Sequence, residues 1–371
     1  MRRIILTPLS CLLLGMFGIS QNTFPVSGYF HLEGTINNSQ PATIEMVKIN
    51  DSIFADFLLE GPGNSLKNGK DDMTGFSPRM FLCGSMEPDG TLSLKDPFSE
   101  KGLQFSGKAD GDLKIIGNLE NNIGQKFTCV FSEKYPVGSV QLNLYNTKDV
   151  KKLVKKSPSP EAKINLGVLL PAESANALIS DSLGDIIRRR FFGKTVPDST
   201  PEAMLNVIKD VFFENYTSSN ETLFEEMPES ASFNWEMLKY MHILNNRDYL
   251  FTFYIITYGF AGGAHGLETF DYYSVDLKSG KLLELTDIFP ADSLTSLANI
   301  LTNKLRQMSG LKENQKLTDS GYFSDEIKPI ENFYLTDSGI GFFYNHYDIA
   351  PYSSGSTDIF LTFDELKNLL K

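Results

Sequence analysis

The sequence of 371 residues lacks the local signatures by which many enzymes are recognised. It contains no G-x-S-x-G, no phosphate-binding glycine loop and no H-E-x-x-H, and none of its four histidines recurs at a spacing typical of metal ligands. Metal binding would require two or three of these histidines to converge in space. The sequence therefore predicts no metal and no cofactor, assigns no catalytic residue, and favours a protein that is not an enzyme.

Basic charge is also scarce. The chain has 34 lysines and arginines against 46 aspartates and glutamates, which gives a formal net charge of −12. Such a protein has no surplus of cations with which to neutralise phosphates, so nucleic acid is excluded as the main partner. An acidic surface instead steers association toward a basic partner.

Long apolar runs are absent except at the N-terminus. Arg2 and Arg3 precede an apolar stretch, and small residues stand before Gln21, so residues 1–20 are predicted to be a secretory signal peptide. The stretch is too short and too interrupted for a membrane span. A lipoprotein anchor at Cys11 ranks second, because almost no apolar region would precede that cysteine. We expect a periplasmic or extracellular protein whose mature chain has no transmembrane span.

Cysteine is rare. If Cys11 leaves with the signal peptide, only Cys83 and Cys129 remain. An oxidising compartment would permit a disulfide between them. They could equally be two buried thiols that never meet, and the sequence leaves both possibilities open.

Residues 21–147 are dominated by short strands separated by turn signals such as Pro88-Asp89-Gly90. This pattern predicts an all-β meander that forms a small barrel or sandwich. Residues 148–162 carry five lysines followed by Ser157-Pro158-Ser159-Pro160, which predicts an exposed linker.

Residues 163–371 mix helix and strand. Apolar periodicity predicts helices, among them Asp292 to Met308, and three successive strands are predicted between Phe233 and Asp276. Strands in runs with helices between them indicate an α+β domain with an antiparallel sheet.

The segment Gly262-Gly263-Ala264-His265-Gly266 is the most distinctive in the chain. Its glycines suit a loop with positive φ angles, which is the favoured interpretation. Alternatively, His265 is presented as a general acid or base beside Asp271 or Asp348. A second aromatic segment from Phe342 to Tyr352 could form a binding surface, although alternating strand cores explain most of its aromatic residues equally well.

Several motifs in the second half resemble a known family. They are Tyr258–Gly266, Tyr272–Leu277, Leu285–Phe289 and Phe343–Tyr352. In this order they resemble the extracytoplasmic module of RsiV-type lysozyme-sensing anti-sigma factors, which is also found beside peptidoglycan deacetylases. The resemblance covers about residues 163–371. The first half is similar to the N-terminal meander of secreted Bacteroidetes proteins.

The resemblance implies an α+β fold and a role in binding a partner protein, with no catalytic residue to carry over. The chain shows neither the sigma-binding segment of the sensors nor the metal ligands of the deacetylases. We therefore expect a non-enzymatic binding protein of the cell envelope that contacts lysozyme or a cell-wall component. The predicted binding residues are Tyr258, Gly262, Gly263, His265, His346, Tyr347 and Tyr352.

Two other functions remain open at this point. One is a cell-wall glycan hydrolase or deacetylase that uses His265. The other is a lipocalin-like carrier, in which the first domain would hold a small apolar ligand inside an enclosed cavity.

Overall fold

The computed structural model describes residues 24–60, 77–99, 101–155, 159–172, 177–193, 200–226, 231–312 and 315–371. The predicted signal peptide, residues 1–20, and Cys11 lie outside these ranges. Within them, no helix has both the length and the apolar character that a membrane crossing requires.

The first unit is an antiparallel barrel of eight strands. They are β1 (Ser27–Ile36), β2 (Gln40–Ile49), β3 (Ser52–Leu59), β4 (Arg79–Met86), β5 (Thr91–Lys95), β6 (Gln104–Ala109), β7 (Lys114–Glu120) and β8 (Lys126–Glu133). Each strand pairs with the next along the chain, and β1 pairs with β8 to close the barrel. The predicted all-β meander is confirmed in its barrel form.

Side chains fill the interior of the barrel. The Phe57 ring lies 5.5 Å from the Phe105 ring and 6.1 Å from the Phe131 ring, measured between centroids, and all three are buried. Small barrels commonly fill their interiors in this way. The packed interior argues against a lipocalin-like carrier, because the three rings occupy the space that a ligand would need.

The two cysteines of the barrel are free thiols, so the possible disulfide is not formed. Cys129 on β8 points into the barrel and is fully buried. Cys83 on β4 follows the inward-facing Leu82 and therefore points outward, because successive side chains of a strand alternate in direction. Burial raises the pKa of Cys129 to about 12, which keeps this thiol protonated.

The second unit is built on a sheet of six strands in the order β14-β13-β12-β11-β10-β9. The strands are β9 (Leu142–Lys152), β10 (Glu161–Pro171), β11 (Trp235–Arg247), β12 (Leu250–Phe260), β13 (Leu267–Asp276) and β14 (Lys281–Leu282). Helices α1 (Ala177–Phe192) and α2 (Pro201–Glu226) connect β10 to β11, the one parallel pair. The other neighbours are antiparallel. The predicted α+β class is confirmed.

The linker predicted over residues 148–162 is not found as such. Lys148 and Lys151 lie in β9, where they pair with Asn165 and Ala162 of β10. This strand forms one edge of the sheet, and charged lysines on an edge oppose pairing with another chain. Lys148, Lys151 and Lys152 therefore belong to a protected edge of the sheet, although by composition alone this segment resembles an exposed linker.

Helix α2 continues to Glu226 through a stretch rich in polar residues. Polar side chains in this stretch turn back onto the helix: Thr217 Oγ1 donates to the Phe213 carbonyl at 2.8 Å, and Asn220 Nδ2 donates to the Tyr216 carbonyl at 2.7 Å. These bonds keep residues of low helix propensity within the helix.

A smaller sheet of three strands completes the second unit. It comprises β15 (Phe333–Leu335), β16 (Gly339–Tyr344) and β17 (Thr357–Thr362), and it is accompanied by α3 (Leu285–Ile288), α4 (Leu294–Met308) and α5 (Phe363–Leu366). Thr252 on β12 donates to the Leu335 carbonyl at 2.8 Å, and the Leu335 amide donates to Ser274 on β13 at 3.0 Å. Buried hydroxyl groups therefore attach the small sheet to the large one.

Barrel and second unit meet around the largely buried guanidinium of Arg79. Its Nε donates to Asp56 Oδ1 at 3.0 Å within the barrel, and its Nη1 donates to the Tyr272 hydroxyl at 2.7 Å across the junction. The Tyr254 hydroxyl, also across the junction, donates to Asp56 Oδ2 at 2.7 Å. Charge-assisted hydrogen bonds of this kind fix the orientation of one unit on the other.

A second polar group at the junction joins β1 and β2 to β11. Glu45 accepts from the Tyr29 hydroxyl at 2.5 Å and lies 2.9 Å from His31 Nδ1. Asn246 donates to the Tyr29 hydroxyl at 2.8 Å and bonds both backbone groups of Val140. Asn246 lies in β11 and is fully buried. The turn falls at Asp248 and Tyr249, whose φ angles are both positive.

Replacing Tyr254 by Phe removes the hydroxyl that donates to Asp56 and leaves a buried carboxylate oxygen without this donor. We expect the free energy of unfolding to fall by roughly 1–3 kcal/mol in denaturant titrations. Tyr145→Phe is the matched control, because that half-buried hydroxyl has no hydrogen bond to another described residue. Equal losses in both variants would contradict a stabilising role for the Tyr254 bond.

The buried His31 predicts a pH dependence of stability. Burial lowers the pKa of His31, but the Glu45 carboxylate, through its charge and its hydrogen bond, and the Glu33 carboxylate together outweigh burial, so the pKa is raised from 6.5. The protonated pair therefore stabilises the fold fully below pH 6.5, and this stabilisation is lost as the pH rises through the raised pKa. We expect the free energy of unfolding to fall more between pH 6 and pH 9 in the wild type than in His31→Gln. Equal falls would contradict the assignment.

Candidate functional site

Two asparagines bring the glycine–histidine loop (residues 262–266) close to the tyrosine-rich loop (residues 345–355). Asn345, at the end of β16, accepts from the Phe270 amide at 2.8 Å and donates to the Phe270 carbonyl at 3.1 Å. Asn332 likewise accepts from the Tyr272 amide at 2.8 Å and donates to the carbonyls of Phe270 and Phe343. Since β13 follows the first loop and β16 precedes the second, these bonds hold both loops at one end of the unit.

Four rings from the two loops form what we call the aromatic stack: His265, His346, Tyr347 and Tyr352. The Tyr352 ring lies 3.9 Å from His265 and 4.4 Å from His346, with interplanar angles of 21° and 23°. Two nearly parallel rings at these distances must cover opposite faces of the tyrosine. Tyr347 adds a tilted ring 5.8 Å from Tyr352.

The glycines serve the backbone of the loop. Gly262 and Gly263 have φ angles of 87° and 101°, as expected for a loop with positive φ. At Gly266, an added Cβ would lie 2.4 Å from the Tyr258 hydroxyl oxygen. The Gly266 carbonyl lies 2.9 Å from His265 Nδ1 and accepts from the Tyr352 hydroxyl at 3.1 Å, so the loop backbone positions two rings of the stack.

The aromatic stack and the neighbouring Leu267 present apolar surface to solvent. Tyr347 is 52% exposed and Leu267 is 43% exposed. Tyr347 has a φ of 71°, which is unusual for a tyrosine and is strained. The turn is held by the Asn345 amide, which donates to Asp348 Oδ2 at 2.8 Å. Backbone strain therefore accompanies the display of an exposed ring.

Carboxylates flank the stack. Burial raises the pKa of Glu268, and His346 partly opposes this shift. Burial also raises the pKa of Asp271, which the Lys239 ammonium counteracts and the Asp348 carboxylate reinforces. This side of the second unit therefore combines aromatic rings with acidic groups.

No catalytic triad is assembled among the described residues. His265 Nδ1 contacts its own loop carbonyl, and no described carboxylate hydrogen-bonds to His265 or His346. The same ranges contain no group of three His, Cys, Asp or Glu residues placed to hold a metal ion. Proton transfer by a histidine requires a partner that orients the imidazole ring. The geometry of these residues therefore does not support a cell-wall hydrolase or deacetylase that uses His265.

All seven predicted binding residues lie in the described chain, and the structure brings them together. The four rings form the stack, Gly262 and Gly263 shape the loop, and Tyr258 packs against Gly266. Sequence reasoning missed Asn332 and Asn345, which position both loops. The only signal for Asn345 was its place beside His346.

Comparison with known proteins finds a similarity to one family over part of the chain, and this family has no known activity. No curated protein matches the sequence. Residues 286–364 match the model of DUF3298, a protein family of unknown function. The crystal structure of a DUF3298 family member from Bacteroides fragilis is similar, with 25% sequence identity and a TM-score of 0.59. The similarity covers 63% of this chain and 94% of the Bacteroides chain. A DUF3298 family protein from Pseudomonas aeruginosa shares 18% identity with a TM-score of 0.42, over 62% and 94%. Residues 286–364 therefore resemble the DUF3298 family, and the chain resembles the Bacteroides protein in fold.

Replacing Gly266 by Ala should disturb the aromatic stack. The new Cβ would overlap the Tyr258 ring, so either this ring or the loop must shift, with an expected loss of roughly 1–3 kcal/mol in the free energy of unfolding. Gly259→Ala is the control, since no atom lies within 4 Å of the Cβ position there. We expect the NMR resonances of the His265 and Tyr352 rings to move only in Gly266→Ala. Unchanged resonances in that variant would contradict the described packing.

Proposed function

We propose that the second unit is a non-enzymatic binding module of the cell envelope that contacts a basic protein of the lysozyme type. The binding surface would comprise the aromatic stack and Leu267. The observation that carries this proposal is the convergence of two loops, distant in sequence, on one exposed aromatic surface. The protein would act in the periplasm or outside the cell.

The chemistry of the surface suits a protein partner. Tyrosine supplies a large contact area at a low cost in conformational entropy, and exposed tyrosines often dominate binding energy. The flanking carboxylates and the net charge of −12 complement a basic protein and favour its encounter. The resemblance to lysozyme-sensing modules points to the same class of partner.

The geometry favours a protein over a wall glycan. Sugar rings bind on exposed aromatic faces, whereas both faces of Tyr352 are covered by imidazole rings. Tyr347 alone among the stacked tyrosines is largely exposed, and it stands on a strained turn. One protruding ring above a rigid base resembles the anchor of a protein interface more than a sugar platform.

The test is binding of the mature chain, from Gln21, to immobilised lysozyme over a salt series. Saturable binding should persist at high salt, because a specific interface does not rest on screened charge alone. Tyr347→Asn removes the ring and retains a residue that tolerates positive φ, so it should weaken binding about tenfold, equivalent to roughly 1.4 kcal/mol. Phe98→Ala removes a 73% exposed ring from the barrel and should leave binding unchanged.

Other results would exclude the proposal in distinct ways. Binding that disappears with salt, equally in the wild type and both variants, would show only attraction between an acidic and a basic protein. Absence of lysozyme binding together with retention on purified peptidoglycan would assign the surface to a wall glycan.

A further inference from the structure

A cavity of about 540 Å³ opens beside the aromatic stack. We call it the side pocket. It is lined by Phe323, Ser324, Glu326, Ile327, Lys328, Ile330, Tyr344, Asp348 and Ile349. Asp348 directly follows Tyr347 of the stack, so the pocket continues the surface to which binding is assigned above.

The side pocket has apolar walls held in place by backbone bonds. Ile327 and Tyr344 are each 1% exposed, and Ile349 is half-buried. The Phe323 amide donates to the Ile349 carbonyl at 2.9 Å, which joins the two sides of the pocket. The Tyr344 hydroxyl donates to the Lys328 carbonyl at 2.8 Å. Phe323 itself is 58% exposed, so an aromatic ring stands at the opening.

The charged groups of the pocket are two carboxylates and one ammonium. Glu326 is exposed, and its carboxylate makes neither a hydrogen bond nor an ion pair with another described residue. Asp348 uses Oδ2 to accept from the Asn345 amide. Lys328 is the one cation in the lining, so the pocket carries an excess of one negative charge.

We propose that the side pocket receives an arginine side chain of the basic partner. The methylene stem would lie along the half-buried Ile330 and Ile349, as the stems of long cationic side chains do on apolar surfaces. The guanidinium would reach Glu326 and Asp348, with the exposed Phe323 ring close enough for a cation–π contact. This inference rests on the proposed function, because it names the residue that the basic partner would insert.

Two features favour arginine over other occupants. A wholly apolar side chain would cover the carboxylates without compensating them, which is costly. A lysine ammonium is a compact and strongly hydrated charge, whereas a planar guanidinium stacks on rings and bonds two carboxylates at once. A pocket with apolar walls and a pair of acids therefore matches arginine best.

The probe is Nα-acetyl-arginine amide, with the citrulline analogue as a neutral control of the same shape. Isoleucine methyl NMR on the mature chain should show saturable shifts of Ile327, Ile330 and Ile349 with the arginine compound. We expect at least fivefold weaker binding for the citrulline compound and for the variants Glu326→Gln and Asp348→Asn. Glu87→Gln, an exposed acid on the barrel, should bind as the wild type does.

The outcomes separate this proposal from the one it rests on. Equal binding of the citrulline compound, or no shift of the pocket methyls, would overturn the arginine assignment even if lysozyme still binds. Arginine binding in the pocket without lysozyme binding would support the pocket and reject only the proposed partner. Both together, with lysozyme affinity reduced at least fivefold by Glu326→Gln, would support the whole interface.

Discussion

The largely buried guanidinium of Arg79 organises the junction between the barrel and the second unit. The Arg79 guanidinium leaves the barrel and lies over three tyrosine rings of the second unit, at 4.9, 5.2 and 5.4 Å from the centroids of Tyr254, Tyr272 and Tyr334. Its charge compensates Asp56 and the nearby Asp358, both of which have pKa values raised by burial. Buried ion pairs add little net stability because desolvation opposes them. Their effect here is to define one orientation of the barrel on the two sheets.

Strands β13 and β15 connect the Arg79 junction to the candidate site. Tyr272 of β13 and Tyr334 of β15 contact Arg79, and each stands close in sequence to a residue that positions the loops: Phe270 on β13 and Asn332 before β15. The stack is therefore built at the far end of strands whose spacing the junction already fixes. Such support explains how an exposed ring on a strained turn is held in place.

Local patterns predicted most of the strands and most of the helices, because alternation and helical period reflect burial along a single element. They could not predict pairings between distant segments. The lysines of β9 resemble a linker until their pairing with β10 is known, and Asn246 resembles a turn residue until its partners Val140 and Tyr29 are seen. The motifs around His265 and Tyr352 indicated functional loops, but their contact depends on asparagine bonds between two sheets. Nothing in the sequence indicated the side pocket, which arises where irregular chain meets β16.

The two histidines of the aromatic stack are engaged in ring packing, and one of them also contacts the backbone of its own loop. The faces of His265 and His346 pack on Tyr352, and His265 Nδ1 is directed at the carbonyl of its own loop. Imidazoles engaged in this way brace a surface. A general acid or base instead needs a carboxylate that sets its tautomer and a free path to the substrate. Rigid aromatic bases lower the entropy lost on binding, because little is left to order when the partner arrives. Within the stack, the strain that accompanies such preorganisation falls on Tyr347, an exposed ring at which the proposed partner would make contact.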